Sequence, residues 1–116
     1  MTSEAKFSTL EKLLSTMVPD EPPKNIQSGN PQTMYSELAS SDQLETGTWS
    51  CSVGSWDIPS FSVSEVMLIL NGRIRLTDTA GTSTELGKGD LFFLPKGWSG
   101  RWETLEDMQK LYVIVY

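Results

Sequence analysis

From about Asn25 to the last residue the chain shows no helical period, only short β-type apolar runs separated by Gly, Asn, Asp and Pro. This pattern predicts strands over 33–38, 48–53, 60–70, 73–77, 83–86, 91–94, 100–103 and 111–115. Many short strands have edges that must be closed off, so the expected architecture is an all-β sandwich or barrel. Asn71-Gly72 lies between Val66-Met67-Leu68-Ile69-Leu70 and Arg73-Ile74-Arg75-Leu76-Thr77, the sequence signature of a two-residue hairpin turn. Asp78 to Thr82, with Gly81, closes the next hairpin. No internal repeat suggests a duplicated barrel. With 116 residues, of which 38% are hydrophobic, one core is affordable and a second catalytic domain is not.

Ahead of the strands, Phe7, Leu10, Leu13, Leu14 and Met17 recur at helical spacing, with Glu4, Lys6, Glu11 and Lys12 on the other side. They predict a short amphipathic α-helix over 7–18 with Ser3 as N-cap. Pro19, Pro22 and Pro23 stop it and start an extended linker. The chain therefore divides into a helix and Pro-rich linker, 1–24, and a single barrel domain, 25–116. The apolar stripe of the helix is expected to pack on the barrel or on a second subunit.

Composition removes much chemistry. There is no His, so there is no Ser-His-Asp triad and no imidazole ligand for a metal. One Cys permits neither an internal disulfide nor a Cys-rich zinc site. A net charge of −6 without a basic cluster argues against nucleic acid and anionic membranes as partners. No apolar run approaches the roughly 18 residues of a membrane helix, and a cytoplasmic setting is the default expectation. Cys51 alternates with Trp49 and Val53, which reads as a small buried hydrophobe.

Two stretches carry more specific information. Glu65 is followed after six residues by Gly72, and Gly89-Asp90-Leu91-Phe92-Phe93-Leu94-Pro95-Lys96-Gly97 places Pro-x-Gly five residues after Gly89. These resemble the two motifs of the cupins, a superfamily of jelly-roll β-barrels (double-stranded β-helices). With Gly97-Trp98-Ser99-Gly100-Arg101-Trp102-Glu103 and Lys110-Leu111-Tyr112, the chain is similar to small single-domain cupins of the ureidoglycine aminohydrolase and ethanolamine-utilisation branch (DUF861-like). The resemblance covers roughly residues 46 to 116. Physically, Gly89-Asp90 is a tight turn that launches a buried strand and Pro95-Lys96-Gly97 ends it, so neither Asp90 nor Lys96 needs a catalytic role.

Metal-binding cupins, by that resemblance, use two His and a Glu in the first motif and one His after the second. Here the Glu is Glu65, while Pro59 and Phe61 (or Ile58 and Ser60, with a longer gap) and Gly100 stand where His would be. No metal site and no cofactor are expected, because one carboxylate cannot hold a divalent ion.

Strand alternation places Phe61, Val63, Met67 and Ile69 on the face of Glu65, with Arg73 and Arg75 outward. Trp49, Trp56, Trp98 and Trp102 all fall near the motifs, and Trp residues of small barrels are also ordinary core. The candidate ligand-binding set is Glu65, Phe61, Met67, Trp49, Trp56, Trp98, Trp102 and Arg101, with Glu65 and Tyr112 as candidate catalytic groups. A carboxylate amid apolar residues needs a partner, for which Arg101, Lys110, Tyr35 and Tyr112 compete; it either tethers strands or meets a ligand. The leading expectation is a metal-free cupin that binds a small organic metabolite in the barrel mouth as a homodimer. One alternative is a metal-independent enzyme (isomerase, lyase or amidohydrolase-like) with Glu65 as general base. The other is an accessory protein-interaction module using the N-terminal helix.

Overall fold

The structure, a computed structural model, describes residues 3–116. A short helix, α1 (Leu10–Ser15), is followed by nine strands: β1 (Val18–Pro19), β2 (Ile26–Gly29), β3 (Thr33–Ser40), β4 (Leu44–Cys51), β5 (Gly54–Ile58), β6 (Ser64–Asp78), β7 (Ser83–Gly87), β8 (Leu91–Leu94) and β9 (Gly100–Val115). Every pairing is antiparallel. The fold is the all-β jelly roll expected, with one short N-terminal helix.

Two long strands build it. β6 and β9 pair along their full length, from Ser64 opposite Val115 to Asp78 opposite Gly100. The first half of β6 and the second half of β9 share a layer with β8, β4, β3 and β1; the opposite halves share one with β7, β5 and β2. Both strands therefore bend from one layer into the other, and the core fills the space between.

The bend falls at Asn71-Gly72, and here the hairpin expectation is corrected. β6 runs straight through this dipeptide, with register shifts between Ile69 and Ile74. The buried positions of β6 are Glu65, Met67 and Ile69 before it and Ile74 and Leu76 after it. Alternation alone would keep odd numbers inside, so the extra residue of a bulge is what changes the parity. A hairpin and a bulge both want an Asn-Gly pair, because both need a positive φ, and Gly72 adopts φ +83°. A Cβ there would run into the Asp107 carbonyl and Met108, so β9 crosses directly over the glycine. The true hairpin is the next one: Asp78 N–H donates to the Thr82 carbonyl at 3.0 Å, with Gly81 at φ +90°.

The Gly89 to Gly97 motif acts as a clip. Gly89 N–H donates to the Ile69 carbonyl at 2.8 Å, and Asp90 Oδ2 accepts from Gly87 N–H at 2.8 Å. Past Pro95, Gly97 N–H donates to the Phe61 carbonyl at 2.7 Å and Phe61 N–H to the Trp98 carbonyl at 2.7 Å. The core joins Cys51, Trp56, Met67, Ile69, Ile74, Leu76, Leu94, Trp102 and Met108. Arg73 and Arg75 point outward and pair with Glu85 and Glu103.

The N-terminal helix is shorter than its apolar spacing predicts. Thr9, not Ser3, is its N-cap, accepting from Lys12 N–H at 3.0 Å. Six residues offer too few intrahelical bonds to stand alone, so α1 exists where it leans on β3 and β4. Phe7 lies ahead of it and is 89% exposed. No described helix is long and apolar enough to cross a membrane.

Candidate functional site

Between the layers lies a cavity of about 420 Å³. Its walls are aromatic: Trp49 from β4, Trp56 from β5, Phe61 from the segment before β6, and Trp102 from β9. Trp56 stacks on Trp102 with centroids 5.7 Å apart and planes 17° from parallel. Trp49 meets Trp102 edge-on at 5.9 Å and 84°. The Trp102 indole is fixed by donating to Thr104 Oγ1 at 3.0 Å. Three indoles thus lock one another in place, the rigid arrangement that favours aromatic pairs.

At the floor, Glu65 of β6 and Lys110 of β9 form an ion pair, Nζ to Oε2 2.7 Å, with both side chains only 7% exposed. Of the four partners open to Glu65 from sequence, the structure selects Lys110. Register explains this, since Lys110 lies opposite Ile69 on β6 and Trp49 on β4, with its side chain on the inward face. The ammonium also contacts Met67 Sδ at 3.2 Å and lies 4.3 Å from the Trp49 centroid and 5.2 Å from that of Trp102. A buried charge tolerates so little water only with this many compensating partners.

Above the floor, Tyr112 donates its hydroxyl proton to Glu45 Oε2 at 2.6 Å, and Tyr116 donates to Glu45 Oε1 at 3.2 Å. Burial, reinforced by the Glu45 carboxylate, raises the Tyr112 pKa far above the ordinary phenol range. Its proton is therefore held, and Tyr112 is a poor general acid. Tyr35, Glu37 and Asp20 also line the cavity.

Glu65, Phe61, Met67, Trp49, Trp56, Trp102 and Tyr112 all line this cavity. Two residues do not join them. Arg101 is on the outside, donating to Asp57 Oδ1 at 2.8 Å, because Trp102 faces in and its strand neighbour must face out. The pair lowers the Asp57 pKa chiefly through that hydrogen bond and raises that of Arg101 by the same bond. Trp98 packs on the core outside the cavity lining, where its ring lies against Gly100. Sequence reasoning missed Glu45, Glu37, Asp20, Ile58 and Ile114 as lining residues. Glu45 had a usable signal: it shares strand parity with Trp49 and Cys51, and an earlier start for β4 exposes the match.

A family model for the EutQ-like cupin domain matches residues 38–112. The chain belongs to the EutQ-like cupin family. It is a small cupin of the DUF861-like branch, as its motifs suggested. Among solved structures, a DUF861-family protein of Pseudomonas syringae has a TM-score of 0.81 at 24% identity, over 88% of this chain and 45% of that one. This EutQ-like cupin thus spans less than half the length of that relative. A DUF861 family protein of Thermotoga maritima is 33% identical, with a TM-score of 0.54, over 58% of this chain and 75% of its own. The Clostridium difficile EutQ protein has a TM-score of 0.64 at 18% identity, over 73% and 68% of the two chains. No curated protein matches.

The metal of His-bearing cupins does not fit this member. Among the described residues no group of three or more His, Cys, Asp or Glu is placed to hold an ion. Of the positions aligned with metal ligands, only Glu65 carries a donor, and its Oε2 is given to Lys110. An ammonium in that place repels a divalent cation.

Proposed function

We propose that this EutQ-like cupin binds a small organic molecule in the barrel mouth. One observation carries the reading: a cavity of about 420 Å³ is walled by three mutually fixed indoles over a buried ion pair. This is the concave, largely apolar site with a few placed polar groups that small ligands select. Binding is favoured over acid–base catalysis because the Tyr112 proton is engaged by Glu45 and Glu65 Oε2 by Lys110. A reducing, cytoplasmic setting suits its single buried thiol, Cys51.

The test is a thermal-shift panel of divalent metals, small carboxylates, ureides, amines and sugars, with Glu65→Gln and Trp56→Ala run alongside. A ligand of the native state raises stability by RT ln(1 + [L]/Kd). A hit that disappears in Trp56→Ala, a variant that leaves the ion pair intact, supports the reading. Silence across the panel, or hits insensitive to both variants, refutes it.

The same reading includes a homodimer. The outer face of β8, β6 and β9 is a ladder of apolar pairs: Leu91 opposite Leu68 opposite Leu111, and Phe93 opposite Val66 opposite Val113. Leu91 and Phe93 are 69% and 56% exposed. A contiguous apolar surface of this kind on a sheet favours a self-complementary contact with a second copy.

A further inference from the structure

The charges around the cavity are unequal. Asp20, Glu37, Glu45 and Glu65 line it, against the one cation Lys110. Lys110 is fully engaged at the floor, with Glu65 Oε2, Met67 Sδ and the Trp49 face around its ammonium. Its charge is spent on Glu65. The carboxylate of Glu45 receives only phenol hydroxyls, from Tyr112 and Tyr116, and no Lys or Arg among the described residues pairs with Glu45, Glu37 or Asp20. Three carboxylates thus line the cavity without an ion-pair partner among the described residues.

A second, independent feature concerns the walls. The indoles of Trp49 and Trp102 already hold an ammonium, that of Lys110, at 4.3 and 5.2 Å from their centroids. The aromatic box therefore has cation-binding geometry, shown by the chain's own side chain. Trp56 and Phe61 add further aromatic wall to the same cavity. Indole faces attract cations through their quadrupole, and more so when water is excluded.

We propose that the ligand of this cavity is a small organic cation with a flat apolar body, its positive group directed to Glu45 and its body against the aromatic walls. The proposal rests on the reading of the cavity as a ligand site and adds the ligand's charge. An organic anion would meet Glu45, Glu37 and Asp20 with no free donor of positive charge. A bare metal ion lacks the cluster of donors it needs. An ammonium or amidinium with an aromatic or aliphatic frame satisfies both halves of the site.

Three probes of one frame and different charge test this: benzylammonium, benzyl alcohol and benzoate, titrated into the full chain at neutral pH and followed by tryptophan fluorescence. Benzylammonium is expected to bind at least about 10-fold tighter than benzyl alcohol, with benzoate weaker still. Its affinity falls with added salt and falls several-fold in Glu45→Gln, while that of benzyl alcohol does not change. Glu37→Gln, an exposed position, gives the same direction of change should Glu45→Gln fold poorly. Benzyl alcohol or benzoate binding as tightly as benzylammonium overturns the charge assignment and leaves the ligand site standing. No binding by any of the three overturns the inference, and the site itself stands or falls separately on the thermal-shift panel and its two variants.

Discussion

Replacing Lys110 by Met removes the charge at the cavity floor and keeps the length of the side chain. At 2.7 Å the Glu65–Lys110 attraction amounts to about 6 kcal/mol with an effective dielectric of ~20. Burying both ions costs several kcal/mol apiece, so the intact pair contributes little net stability. Deleting one partner is different, because the desolvation of the other is then uncompensated. Lys110→Met should therefore destabilise the chain by about 3–5 kcal/mol. In a domain of this size that lowers Tm by roughly 10–20 °C. The double variant Glu65→Leu/Lys110→Met removes the orphaned carboxylate and should recover to within about 1 kcal/mol of the parent. Urea titration followed by tryptophan fluorescence measures all three, since Trp49 and Trp102 lie against the pair. A single variant within about 1 kcal/mol of the parent, or a double variant no better than the single, would refute a desolvated, mutually compensating pair.

Gly72→Ala should cost at least about 2 kcal/mol in the same urea titration, since it combines a strained positive φ with a collision against β9; a neutral variant would show that the bulge is not obligatory. Alkali should destabilise the fold. Burial holds Cys51 at about 11 against an ordinary 9.0 and holds Tyr112 above its ordinary 10.0, so the folded state keeps protons that the unfolded chain releases. Stability is then complete below pH about 9 and falls as pH rises through the alkaline range, and Tyr112→Phe with Cys51→Ala flattens that fall; an unchanged profile counts against it. Phe93→Asp puts a charge in the outer apolar ladder and should shift the elution volume from dimer to monomer with the circular dichroism unchanged; an unaltered elution volume rejects that face as the interface.

Much of the fold was legible because its determinants are local. The Gly89 to Gly97 segment needs a tight turn, a buried strand and a stop, and its residues supply all three. Asn71-Gly72 was ambiguous for a physical reason: the requirement for a positive φ is shared by a hairpin and a bulge, and only the opposite strand decides between them. The inward set of β6 was readable on both sides of that bend, since alternation works within each half. Arg101 was placed wrongly because proximity in sequence to Trp102 puts the two on opposite faces of a strand. Lys110 could be named as a partner of Glu65 but not chosen, because the choice depends on how β9 registers against β6 and β4 at once. The acidic lining of the cavity was the least visible part, drawn from Asp20 ahead of β2, Glu37 of β3 and Glu45 of β4.

These features are connected by charge. A carboxylate in the middle of a barrel needs a cation within contact distance, or it does not stay charged and buried. In this chain the cation is covalently part of β9, so the floor is neutral whether or not anything is bound. The remaining carboxylates keep no cation of their own, since Glu45 and Glu65 lie on either side of Ile114 of β9 and the Lys110 ammonium is given to Glu65. Giving the ammonium to Glu45 instead would leave the buried Glu65 carboxylate without a partner. The same side chain that closes the core thus leaves Glu45 to the phenols of Tyr112 and Tyr116, and the charge selectivity proposed for the cavity rests on that allocation.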